Sequence, residues 1–312
     1  MKTLNIFLAA LLAMGIIAGC DSKTEKTEPT QATSAEVSME KPNELGMDTD
    51  SLNAEVQSKS IGEISERKVK LIEEGISSID ITHQALAAIE GGNKDKAIEL
   101  IKKGVGKLEV LLARDPDLVL IPINNTIKTE DFQGDLESIK TIKKAVKKAI
   151  EDDYFQVLRD EIAKLGSEVR IETVSIPILT YPDALKLSAS FLENNETDLA
   201  KETLQTALNT LVISEQRIPL PILRAESLLE KAKTQDAKDD AMKKEVLTLL
   251  ENAEYQLILA EELGYGNRDK EYKELNDAII EIRKSVKADS DSQGLFDIII
   301  EKLSTFKDKI IA

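Results

Sequence analysis

Residues able to do covalent or acid–base chemistry are few in this chain of 312 residues, which holds one cysteine, Cys20, and one histidine, His83. Cys20 directly follows Ile17-Ala18-Gly19 at the end of an apolar run. Two small residues there let an extended segment enter a peptidase, and the thiol can then carry an acyl-bearing group. As a general base, His83 would need an orienting acid and a nucleophile, and neither stands near it in sequence. Its position early in a helical run reads as a surface or helix-packing histidine. Glu73-Glu74, Asp152-Asp153 and Glu261-Glu262 are paired carboxylates, but adjacent residues on a helix diverge instead of converging on a substrate. The stretch Asp289-Ser290-Asp291-Ser292-Gln293-Gly294 has calcium-loop character, yet Ile300 stands where an EF-hand sets its bidentate glutamate. A polar cap for the last helix explains it better. Gly91-Gly92 and Gly104-Val105-Gly106 lack the strand context and spacing of phosphate-binding loops. No catalytic, cofactor-binding or metal-ligating residue is therefore assigned, and lipidation at Cys20 is the one expected site.

The N-terminus sets the address. Residues 1–19 read as an export signal, with Lys2 as the positive start and Leu4 to Ile17 apolar apart from Asn5. The run is shorter than the about 20 apolar residues that span a bilayer. Ile17-Ala18-Gly19-Cys20 resembles a bacterial lipobox, which implies a periplasm-facing protein held on the membrane by lipid on Cys20. Asp21 favours the inner membrane slightly over the outer. Residues 20–59 are rich in Ser, Thr, Glu, Lys and Pro with little apolar periodicity, and are expected to form a disordered tether reaching roughly 35 Å.

Composition narrows the class of the remainder. Hydrophobic residues make up 42% and aromatics only 4%, with no Trp, which suits packed helices better than a β-sandwich. A net charge of −16, with lysines interleaved among glutamates, argues against nucleic acid as a partner.

Apolar spacing then predicts helical hairpins. Ile64, Val69, Leu71 and Ile72 begin the pattern loosely. Ile81, Ala85, Ala88 and Ile89 share one face, Gly91-Gly92-Asn93 breaks it, and Ala97, Ile101, Val105, Leu108 and Leu112 return in a TPR-like hairpin. Leu118 to Ile123 reads as a short extended run and the polar stretch to Gly134 as loop. Ile139 to Leu165 gives one long helix, or two broken near Asp152-Asp153. Val169 to Ile178, with Pro177, reads as an edge strand or extended crossing. A second hairpin breaks at Asn194-Asn195. Ile218-Pro219-Leu220-Pro221-Ile222 reads as a buried extended elbow, and helices to Ala232 and from Val246 to Ala260 follow, ending at Gly264. These landmarks recur at about a hundred residues, the mark of an internal duplication. The expected fold is an all-α, two-lobed bundle with short Pro-containing junctions. Residues 60–178 form the first lobe, 179–266 the second, and 267–312 supply C-terminal helices packed on the second.

Ala85-Leu86-Ala87-Ala88-Ile89-Glu90-Gly91-Gly92-Asn93, the run Ala97 to Leu108, and Arg217-Ile218-Pro219-Leu220-Pro221-Ile222-Leu223-Arg224-Ala225 together resemble the YfdX-like family of exported bacterial proteins, from about Asp80 to Gly266. The resemblance implies an almost wholly helical, two-lobed exported protein, with links to stress tolerance and a chaperone-like role, and it carries over no catalytic residue. The expected function is non-catalytic binding or scaffolding of envelope proteins or clients, without a cofactor. The alternatives are a small-ligand sensor, marked by an apolar cavity between the lobes, and an enzyme with a site between the lobes, marked by His83 beside two carboxylates.

Overall fold

A computed structural model describes residues 39–62, 66–235, 237–266 and 270–311, all within one unit that spans Ser38–Ala312. The chain runs α1 (Thr49–Gly62), α2 (Glu66–Glu90), α3 (Lys94–Arg114), β1 (Leu120–Glu130), α4 (Leu136–Glu151), α5 (Phe155–Ala163) and β2 (Glu168–Pro177). It continues through α6 (Tyr181–Glu193), α7 (Thr197–Asn209), β3 (Val212–Pro219), α8 (Leu220–Lys233), α9 (Asp240–Leu263), α10 (Lys270–Lys287) and α11 (Gln293–Ile311). Helix accounts for 69% and strand for 11%, as the composition leads one to expect. The residues Met1–Gly19, Cys20, Asp21 and Ile64, and the Val69 side chain, lie outside what is described.

The extended junctions form one three-stranded antiparallel sheet in the order β1-β2-β3. Two of its strands go beyond expectation. The polar stretch after Ile123 continues β1 to Glu130, because β2 supplies partners for it: Lys128 opposes Arg170, and Thr173 Oγ1 donates to Asn125 Oδ1 at 2.7 Å. Residues 212–217 carry no clear alternation, and β2 alone makes a strand of them. Only the first half of Ile218-Pro219-Leu220-Pro221-Ile222 is extended. Ile218 and Pro219 end β3, and Leu220 opens α8 with Pro221 in its first turn. A first-turn N–H has no helical acceptor, so proline is tolerated there. The Leu220 N–H donates to the Ser167 carbonyl at 2.9 Å.

Helix boundaries follow local chemistry. Asp153 and Asn195 adopt left-handed backbones (φ 56 and 63) that close α4–α5 and α6–α7, as Gly92 (φ 72) closes α2–α3. Asp239 accepts from the N–H groups of Ala241 and Met242 at the start of α9, and Gly264 at φ 92 ends it.

Packing departs from the expected lobes. Helices α2, α3, α6 and α7 share one core, with Ile101, Leu108, Leu185 and Leu204 buried among Ile121 and Ile176 of the sheet. Helices α1, α8, α9, α10 and α11 share the other, with Val169, Ile171 and Ile218. The hairpin α6–α7, placed by sequence in residues 179–266, thus belongs with α2–α3. Periodicity shows which face of a hairpin is apolar but not which hairpin meets it. At the α3–α6 crossing Gly104 lies in close contact, its Cβ position 3.3 Å from Ile81 Cγ2 and 3.4 Å from Leu185 Cδ1. Part of the expected tether, from residue 39 on, is folded. Residues 49–59 form most of α1, which buries Leu52 and Val56 one turn apart in the second core, too few apolar positions to register as periodic. Asn252 donates to the Glu44 carbonyl at 2.7 Å, so residues before α1 also join the body.

Helix α2 lies against β1 through Gly75, where a Cβ would stand 2.5 Å from the Pro122 carbonyl oxygen and 2.9 Å from Ile121 Cγ2. Gly75→Ala must push the helix off the sheet, and chemical denaturation is expected to show a loss of about 1–3 kcal/mol. Gly106→Ala, on α3 with nothing within 4 Å of its Cβ position, is expected to gain about 0.5–1 kcal/mol in the same assay.

Candidate functional site

The hairpin α4–α5 stands on a narrow base. Asp135 caps α4 by accepting from the Ser138 N–H at 2.8 Å and from the Ser138 hydroxyl at 2.6 Å, and these hydrogen bonds hold its carboxyl below the usual range. Leu136 and Ile139 then pack on Tyr255, Ile258 and Leu259 of α9, and Lys143 pairs with Glu262 at 2.6 Å. Further along, α4 buries only Ala149, and α5 buries no residue. At the free end the Tyr154 N–H donates to the Ala149 carbonyl at 2.9 Å, which turns the chain tightly. Ile150, Tyr154, Phe155, Val157 and Ile162 remain exposed, Tyr154 at 62% and Phe155 at 63%. Ile150, Tyr154 and Phe155 make an apolar tip at the free end, flanked by Lys147, Lys148, Asp152 and Asp153, and Val157 and Ile162 are exposed further along α5. An apolar centre with a charged rim has the anatomy of a docking surface for protein.

The densest polar constellation lies where the sheet meets α8. Glu168, buried at the start of β2, accepts from Arg170 at 3.0 Å and from the Tyr265 hydroxyl at 3.1 Å, with Arg217 Nη1 3.6 Å away. The Tyr265 oxygen accepts from the Ser167 N–H at 2.7 Å. Arg224 grips Asp131 with two bonds of 3.0 and 2.7 Å, and the Ser167 hydroxyl donates to the same carboxylate at 3.1 Å. Arg217 and Arg224 flank the proline elbow: Arg224 binds Asp131, while Arg217 donates to Glu215 at 2.6 Å and leaves its Nη1 beside Glu168. Each acid is matched to a guanidinium and none is left as an isolated proton carrier, which makes this a fastening of β1, β2, β3 and α8.

The sequence candidates disperse. His83 is exposed on α2, and its neighbour Thr82 accepts from the Tyr181 hydroxyl at 3.0 Å. Glu74 binds Arg114 through two bonds of 2.9 and 2.8 Å, which lower its pKa. In the 289–294 loop, Lys243 takes Asp289 at 2.6 Å and Asp291 accepts from the Gln293 N–H at 3.1 Å, capping α11. No group of three potential metal ligands occurs among the described residues. Cys20 lies outside them. The apolar tip was missed because Ile150 continues the helical spacing of Ile139, Ile142 and Val146, and Ile162 that of Leu158 and Leu165, and spacing alone does not tell a core face from a bare one.

Residues 79–217, from the second half of α2 to near the end of β3, match a family model described as YfdX protein. The resemblance seen in the sequence thus holds over this stretch, which stops one residue before Ile218. A solved structure of YfdX from Salmonella Typhi is similar over 47% of this chain and 91% of that one, at 14% identity and a TM-score of 0.33. No curated protein matches.

Burial shapes the response to alkali. It pushes the Tyr181 phenol up to about 12, and it also raises Tyr265 and Tyr272. Below pH ~10 the folded and unfolded chains both keep these protons, so stability is intact. Above it the unfolded chain ionises first, and stability falls until the folded groups titrate. Denaturation midpoints are therefore expected to drop steadily between about pH 10 and pH 12, and Tyr181→Phe should make that slope shallower.

Proposed function

We propose that this chain is a lipid-anchored protein of the bacterial envelope that acts by binding other proteins without catalysis, and that the α4–α5 tip is its docking surface. The observation that carries the docking half is the exposure of Ile150, Tyr154, Phe155, Val157 and Ile162 on a hairpin held only at its base. Leaving large apolar side chains in water is unfavourable by about 25 cal/mol per Å², so a partner that covers them gains affinity. Aromatic anchors are the residue types that dominate such interfaces. The anchoring half rests on Ile17-Ala18-Gly19-Cys20 behind the apolar run. A protein fixed to a membrane meets other envelope proteins at raised effective concentration, so moderate intrinsic affinity suffices. A part in stress tolerance fits a binding protein of this kind, with the YfdX pattern in residues 79–217 as its support.

Two experiments separate the halves. Cys20→Ala should move the protein from the membrane fraction to the soluble envelope fraction and abolish labelling by radioactive palmitate. Retention on the membrane with acyl chains still attached would sink the anchor. For the tip, a photo-crosslinker placed at Phe155 in intact cells should trap discrete protein partners, and Tyr154→Ser with Ile150→Ser should cut their yield by about tenfold or more. The melting temperature should stay the same, since these side chains are exposed. Equal yield from the substituted tip would exclude it as the docking surface.

A further inference from the structure

A cleft of about 430 Å³ lies on one face of the sheet, and both large cores contribute to its lining. Leu71 of α2 belongs to one core, and Ile171 of β2 and Ile311 of α11 belong to the other. Strand alternation sets the floor. Ile171, Thr173 and Ser175 stand on the same face of β2, and Ser214 of β3 opposes Thr173 in register. The Thr173 hydroxyl is engaged, since it donates to Asn125 Oδ1 at 2.7 Å. Ser175 differs. It is only 2% exposed, yet among the described residues its hydroxyl has no hydrogen-bond partner. A buried hydroxyl left unpaired costs stability, and a valine or isoleucine suits such a strand position better. Serine there leaves both space and a hydrogen-bonding group facing the cleft.

Charge narrows what the cleft can take. Among the described residues that line it, Glu215 is the sole charged one, and its carboxylate accepts from Arg217 Nε at 2.6 Å. An anion therefore meets no lysine or arginine in the lining, and a cation meets an acid already bound. We propose that this cleft binds an uncharged small molecule with an apolar body and one hydroxyl, carbonyl or amine group, and that this group pairs with Ser175. The volume falls within the roughly 300–1,000 Å³ of sites that enclose small ligands. Leu71, Ile171 and Ile311 cover the apolar body, while the Ser175 hydroxyl, able both to donate and to accept, fixes its orientation. Because the lining comes from two cores, an occupant ties them together across the sheet and stabilises the folded chain.

The test uses the full chain carrying Cys20→Ser, so that no acyl chain takes up the probe. Two fluorescent probes share one frame: neutral N-phenyl-1-naphthylamine and its sulfonate, the anion 8-anilino-1-naphthalenesulfonate. The neutral probe should bind saturably, one to a chain, and at least tenfold tighter than the sulfonate, because a buried charge without a partner is costly. Ser175→Ala should weaken the neutral probe about fivefold while the melting temperature holds or rises, since nothing in the fold uses the hydroxyl. Tyr154→Ser with Ile150→Ser should leave its affinity unchanged, which separates the cleft from the exposed α4–α5 tip. Absence of saturable binding overturns the proposal, and so does equal affinity for the two probes. Ser175→Ala that leaves binding intact, or that lowers the melting temperature, overturns it as well. Loss of binding in the tip variant does the same by moving the site to α4–α5.

Discussion

One ten-residue strand is common to both large cores. β2 contributes Val169 and Ile171 to the core of α1 and α8–α11, and Ile176 to the core of α2, α3, α6 and α7. A strand buried at both ends cannot slip, because a shift of one residue would turn every side chain to the opposite face. Glu168 adds an electrostatic condition. A carboxylate this buried is tolerable only when strong donors meet it, and Arg170 and Tyr265 do so at fixed positions. The proline elbow belongs to the same constraint, because Leu220 binds the Ser167 carbonyl, and the elbow sets the entry of α8 and the aim of Arg217 and Arg224.

A second fixed point lies on the far side of α8. Glu226 and Lys307 pair at 3.3 Å with both side chains buried, and Lys59 of α1 stands 3.6 Å from the same glutamate. This triad explains how a helix as polar as α1 is held: its two buried apolar side chains supply the packing, while Lys59 reaches Glu226 and also Glu230 at 2.9 Å. Isolated surface pairs add little, but a network around a buried acid is costly to break on one side only.

Helix breaks were legible because they depend on the residues at the break. Gly92, Asp152-Asp153, Asn195 and Gly264 all end helices where their backbone or capping chemistry says they should. What stayed hidden depends on residues far away in sequence. Lys128, Thr129 and Glu130 look like loop until Arg170, Val169 and Glu168 stand beside them. Val212 to Arg217 become a strand only on β2. The assignment of α6–α7 to α2–α3 rests on which apolar faces fit together in three dimensions, where Leu185 and Leu204 meet Ile101 and Leu108 in one core. The candidate site was illegible for a related reason: Ile150 and Ile162 carry the periodicity of packed residues, and only the absence of a neighbour reveals them as exposed.

The shared core of α2–α3 and α6–α7 has a consequence for how the chain comes into being. Once Arg114 has left the ribosome, the first hairpin can form its own hydrogen bonds, yet its inner face has no cover until Asn209 follows. Until α6 and α7 arrive, the part of that core that Leu185, Leu192 and Leu204 supply is missing, and the face of the first hairpin that meets them lies open to water. A nascent chain in that condition is a substrate for holding factors and for proteases. Maturation is thus gated by the arrival of the second hairpin, and a truncation between the two would leave a fragment with helices but no interior.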